Sequence, residues 1–109
     1  MSFEVKLSPG FLKDVKTLLK KYRSLKSDLE VLITSLEANP TQGDALGRSC
    51  YKVRLAIKSK GKGKSGGAGV ITYVVIDDAE VILLAIYDKQ VKADLKPNEL
   101  DQLLSDIDL

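Results

Sequence analysis

The feature that most constrains this chain is a change of hydrophobic period near its middle. Phe11, Val15, Leu18, Leu19 and Tyr22 recur at helical spacing, and Leu25, Leu29, Leu32, Ile33 and Leu36 repeat the pattern. From Cys50 onward that period is lost. Residues 50–57 alternate, and residues 70–76 and 81–87 are β-branched, apolar runs. Neither 58–69 nor 77–80 offers a crossover helix, so a meander of antiparallel strands is the simplest connection. FEVKL at residues 3–7 reads as a short strand, and Ser8–Pro9 as a helix start, with serine as N-cap and proline in the first turn. Asn39–Pro40 ends the second helix, and TQGDALG reads as a connecting loop. Pro97 is expected to open a last helix, with Leu100, Leu103, Leu104 and Ile107 on one face. The predicted order is β-α-α-β-β-β-α, a single α+β domain over residues 1–109 with an antiparallel sheet and helices packed on one face.

Composition then removes whole classes of function. The 109 residues include no histidine and one cysteine, Cys50. Ser–His and Cys–His nucleophiles, histidine metal ligands and a thiolate zinc site are all excluded. Any catalysis falls to Lys, Arg, Tyr, Asp, Glu or backbone groups, and neither a cofactor nor a metal is expected. No apolar run approaches the roughly 20 residues that span a bilayer, and MSFEVKLSPG lacks the layout of a signal peptide. A single thiol fits a reducing compartment. The expectation is a cytoplasmic protein without a membrane partner.

Net charge is +2, but the charge is segregated. Arg48, Lys52, Arg54, Lys58, Lys60, Lys62 and Lys64 follow one another with no intervening acid. Such a block favours polyanions. It is also what a solvated lysine loop looks like, and charge alone does not choose between the two.

The segment GKGKS invites comparison with a phosphate-binding P-loop, and the comparison fails. The motif G-x-x-x-x-G-K-[ST] would need glycine where Lys58 stands, and its lysine should feed a helix. Here VITYVVI follows, a strand by propensity. A glycine-rich, mobile hairpin tip remains, whose Lys58, Lys60, Lys62 and Lys64 suit a phosphate backbone rather than base edges. On the strand before it, Lys52 and Arg54 share the face opposite Tyr51, Val53, Leu55 and Ile57. Two cations about 6–7 Å apart along a strand can straddle a phosphate. Taken alone they are an ordinary solvent-facing strand side.

The strings CYKVRLAIKSKGKGKSGG, VITYVVID, LLAIYDK and NELDQLL, with KDVKTLLKKY and LEANP before them, resemble the RelE/ParE superfamily of bacterial toxins. The likeness is nearer to the RelE and HigB branch than to the gyrase-poisoning ParE branch, and it covers almost the whole chain. It implies a compact α+β fold and a toxin that cuts mRNA in the ribosomal A site. The ribose 2′-OH attacks the adjacent phosphate without a metal. The implied partners are a cognate antitoxin, the ribosome and mRNA, with operator DNA reached only through the antitoxin. Carried over by position, the resemblance makes Lys52 the general base and Arg54 a phosphate holder. As base, Lys52 would need its pKa brought down from about 10.4, in the direction that nearby cations push it. The resemblance also makes Lys89 a third basic group. Two positions depart from the pattern. GGAGVITY places Gly69 where relatives commonly carry arginine, and the C-terminal tyrosine of some relatives falls at Leu95. Tyr87 is the nearest candidate to replace that tyrosine, and is as readily a strand-end aromatic. An attenuated nuclease follows, in which Gly69→Arg should raise toxicity. The alternative is a non-catalytic protein: a ParE-like gyrase inhibitor, or an antitoxin-binding corepressor.

Overall fold

The computed structural model describes residues 2–61 and 66–107. The chain runs β1 (Glu4–Leu7), α1 (Pro9–Leu19), α2 (Leu25–Ala38), β2 (Asp44–Gly47), β3 (Cys50–Leu55), a 3-10 turn (Lys58–Lys60), β4 (Ala68–Val75), β5 (Glu80–Asp88) and α3 (Glu99–Asp106). One five-stranded sheet results, in the order β1-β5-β4-β3-β2. No helix among the described residues is long and apolar enough to cross a membrane.

The first helix starts as the sequence predicts. Ser8 Oγ accepts from the Phe11 N–H at 3.1 Å, and Pro9 stands in the first turn. The same hydroxyl donates to Leu84 O at 3.3 Å, which ties the helix start to β5. Helices α1 and α2 cover one sheet face, where Phe11, Leu25 and Leu36 meet Val70, Val81 and Leu83, all fully buried. Burial of side chains this large is the main stabilising term, about 1.5–3 kcal/mol each relative to exposure.

Four details differ from the sequence reading. The loop TQGDALG contains a strand: Gly43, at φ +99°, packs on the backbone of Lys52 and returns the chain so that Asp44 lies opposite Lys52. The sheet is not wholly antiparallel, because β1 pairs with β5 in parallel. The helices do not share one face. Leu100, Leu103, Leu104 and Ile107 of the C-terminal segment pack against Cys50, Ile71 and Leu84 on the side opposite α1 and α2. Both faces of the central strands are apolar, so each needs a cover. Finally, α3 begins at Glu99 rather than at Pro97, since Asn98 sits in the left-handed region at φ 68° and cannot be a helical residue.

A bulge in β5 decides which side chains reach which face. Ile71 pairs with Ala85, but Thr72 pairs with Leu83, leaving Leu84 as an extra residue. Before the bulge Val81 and Leu83 face α1 and α2; after it Ile86 does. Tyr87 therefore falls on the α3 side with Leu84 and Ala85. Strict alternation from Leu83 would have turned Tyr87 into the helix-facing core.

Candidate functional site

Four residues named from sequence meet in one place. Lys52 and Arg54 of β3, Tyr87 of β5 and Lys89 just beyond it line a single open cleft of about 370 Å³, together with Ala93. The register explains the convergence. Arg54 pairs with Gly69 on β4, which pairs with Tyr87 on β5, so the three form one row across the sheet. Lys52 begins the neighbouring row, through Ile71 to Ala85.

The cations are not equivalent. Lys52 Nζ is 3.0 Å from Asp94 Oδ2 and is bound to it as an ion pair. Lys89 has its ammonium form disfavoured, first by burial, then by the charges of Arg54 and Lys52, with Lys60 adding a little and Asp94 opposing. Its surroundings push it toward a neutral amine. Arg54 is exposed at the cleft edge.

Tyr87 forms part of the cleft floor. Its ring occupies the space a side chain would need at Gly69: a Cβ there would overlap Cζ, Oη and Cε1. The hydroxyl is closed off from solvent and finds no hydrogen-bond partner, alone among the buried side-chain polar atoms of the described residues. Burial, then the negative charges of Asp94 and Glu99, push its pKa up. An arginine at Gly69 would have to displace the Tyr87 ring, and Leu95, where the resemblance leads one to expect tyrosine, packs into the α3-side core.

The loop lysines divide. Lys58 is exposed on the 3-10 turn, next to Arg54 along the groove beside α2. Lys60, expected to meet a phosphate backbone, points inward instead. Its ammonium donates to Asp88 Oδ1 at 2.7 Å and to the carbonyls of Gly66 and Gly67, and both side chains of the ion pair are 3% exposed. A buried ammonium without such partners would be costly, which is why the lysine turns to Asp88. Lys62 and Lys64 lie outside the described residues. The base of the hairpin is tied to α2 and the turn before it, because Ser59 N–H donates to Ser24 Oγ at 2.8 Å and Lys58 N–H to Asp28 Oδ2 at 3.1 Å, while much of the tip lies outside the described residues.

Sequence reasoning passed over Asp88 and Asp94. Asp88 accepts from Lys60, from Tyr22 Oη at 2.5 Å, from Lys21 Nζ at 3.2 Å and from the Gln90 N–H at 2.9 Å. Burial pushes its carboxyl up, but these four donors outweigh burial and hold it well below the usual carboxylate range. It joins the turn after α1, the hairpin neck and the end of β5, one residue before Lys89. The available signal was an acid closing the apolar run of LLAIYDK.

The sequence matches no protein-family profile. The fold has close structural counterparts. One is the Escherichia coli toxin RelE, solved in the free state with two arginines replaced by alanine: TM-score 0.59, 14% identity, 97% of this chain and 94% of that one covered. Another is a chain of the toxin–antitoxin complex RelBE2 from Mycobacterium tuberculosis: TM-score 0.60, 15% identity, 81% of this chain and 99% of that one. At these identities the likeness is one of fold, and the chain has the RelE-like α+β fold that its motifs implied.

Proposed function

We propose that this chain is the toxin of a RelE-type toxin–antitoxin pair, a metal-independent endoribonuclease that cuts mRNA in the ribosomal A site. The observation that carries the reading is the convergence of Lys52 and Arg54 of β3 with Lys89, just beyond β5, on one cleft in a RelE-like fold. Lys52 and Arg54 supply the positive charge that a phosphodiester transition state with extra negative charge requires, and Lys89 places an amine beside them.

We give the base role to Lys89 rather than Lys52, because burial and the charges of Arg54 and Lys52 disfavour the Lys89 ammonium, while Lys52 is ion-paired to Asp94. Lys89 takes the proton of the ribose 2′-OH. The 2′-oxygen attacks the adjacent phosphorus, and the bond to the 5′-oxygen breaks, leaving a 2′,3′-cyclic phosphate. Arg54 donates to the non-bridging oxygens as charge builds on them. The Lys52 ammonium gives a proton to the departing 5′-oxygen, so the two lysines exchange protonation states and are reset by water. Tyr87 shapes the floor beneath. The cell-level reading is a cytoplasmic toxin silenced by an antitoxin, with operator DNA bound through the antitoxin.

The test is expression with and without the neighbouring reading frame, followed by toeprinting on stalled ribosomes. Translation arrest, cuts at A-site codons and 2′,3′-cyclic ends are expected, all lost in Lys89→Gln. Intact mRNA together with inhibited DNA supercoiling would replace this reading with the gyrase-directed one.

A further inference from the structure

The segment joining β5 to α3 crosses the mouth of the cleft. Ala93 lines the cleft, and Asp94 reaches Lys52. The Asp94 carboxylate is fixed at both oxygens: Oδ2 on Lys52 Nζ at 3.0 Å, Oδ1 accepting the Leu95 N–H at 2.8 Å. Its side chain is 59% exposed while that of Lys52 is 22% exposed, so the acid covers the lysine and not the reverse.

We propose that Asp94 is the cleft's own anion, held beside Lys52 where a substrate phosphate binds and expelled when a polynucleotide enters. This rests on reading the cleft as a phosphodiester site. The chemistry of the ligand follows from the competition. A tethered carboxylate presents itself at high effective concentration, so a single phosphate engaging Lys52 alone competes poorly. A strand whose phosphate also engages Arg54 displaces Asp94, whose own hydrogen bonds run to Lys52 and the Leu95 N–H. The cleft thereby selects polynucleotide phosphodiesters over free phosphate and mononucleotides.

Two physical properties agree. The Leu95 N–H, then Lys52, hold the Asp94 carboxyl below its ordinary range, so it stays anionic and competent to compete at neutral pH. Asp94 also acts on Lys89, opposing the push from burial, Arg54, Lys52 and Lys60. Among the described residues, Lys52, Arg54 and Lys89, with Tyr87 beneath, are the titratable and charged side chains that line this cleft.

Asp94→Asn isolates the idea, since the amide oxygen can still accept from Leu95 N–H and only the charge is removed. Inorganic phosphate and a 2′-O-methyl RNA oligonucleotide that cannot be cut are titrated by calorimetry into the wild type and the variant. Phosphate should bind about two- to fivefold tighter to the variant at low ionic strength, and the gain should shrink as salt is added. The oligonucleotide should gain less than phosphate does, which narrows the selectivity. For the cleavage reaction, the limb of kcat/KM that rises with pH should move to lower pH, because Lys89 loses an anion that favoured its charged form. Phosphate binding that is unchanged or weaker in Asp94→Asn, with the unfolding midpoint preserved and Asp94→Ala behaving the same way, overturns the proposal. The two readings separate cleanly. Tighter phosphate binding without any mRNA cleavage by the wild type leaves the Asp94 competition standing and removes the nuclease. Cleavage with unaltered phosphate affinity does the opposite.

Discussion

The ring of Tyr87 lies against the bare α-carbon of Gly69, its partner in the β4–β5 ladder, and fills the volume that any side chain at position 69 would need. Glycine is required here for close approach, not for turn geometry, because its backbone lies outside the left-handed region. Gly69→Ala should cost about 1–3 kcal/mol by overpacking. In a Tyr87→Leu background the same change should cost clearly less, a non-additivity of at least about 0.5 kcal/mol in urea unfolding. Gly69→Arg alone should therefore destabilise the protein without raising toxicity. Equal costs in both backgrounds would show that the two side chains do not compete for space.

The Tyr87 hydroxyl has no partner, and that makes a signed prediction. An unsatisfied buried hydroxyl is unfavourable, so Tyr87→Phe should raise stability by about 1 kcal/mol. Because the oxygen is sealed from the cleft, mRNA cleavage should stay within about threefold of wild type, far from the 10²–10⁴-fold loss of a general acid. A large loss of cleavage in Tyr87→Phe would return the tyrosine to a proton-transfer role.

Asp88 is the acid on which the hairpin neck depends. Asp88→Asn leaves the Lys60 ammonium buried beside a neutral amide, and loss of one partner of a buried pair costs about 3–5 kcal/mol. The native carboxyl is held below its unfolded value. Its contribution is thus complete above the ordinary aspartate pKa, and drains away as pH falls from about 4 toward the lowered native value. Thermal melts of wild type and Asp88→Asn from pH 7 down to pH 2 should converge as the pH falls.

Lys89 as base implies a rate that climbs with pH through its lowered pKa. Arg54→Gln removes a neighbouring charge that helps lower it, so the midpoint of the kcat/KM profile should move up in pH, short of the value for free lysine because burial remains. The rate itself should fall about 10²–10³-fold as a phosphate donor is lost. Lys52→Gln should move the midpoint in the same direction. A midpoint that follows neither substitution would take Lys89 out of the base role.

Much of this protein was written in its sequence. The helical period of residues 9–38, the Ser8–Pro9 start, the apolar runs of β3 to β5 and the alternation of Lys52 and Arg54 against Val53 and Leu55 are local properties, set by backbone geometry and side-chain type. They fixed the α+β class and put two cations on one strand face. What they could not decide were the pairings made across the sheet. The apolar run of β5 carries no mark of the bulge at Leu84, yet that extra residue turns Tyr87 toward the cleft. The lysines of the hairpin look alike in sequence, but Lys60 faces Asp88 and Lys58 faces water. Asp94 sits 42 positions from Lys52 and meets it only because the chain doubles back over the sheet. Local chemistry chose the elements; desolvation and charge pairing between distant residues, which exist only once the chain has folded, chose which side chains form the site.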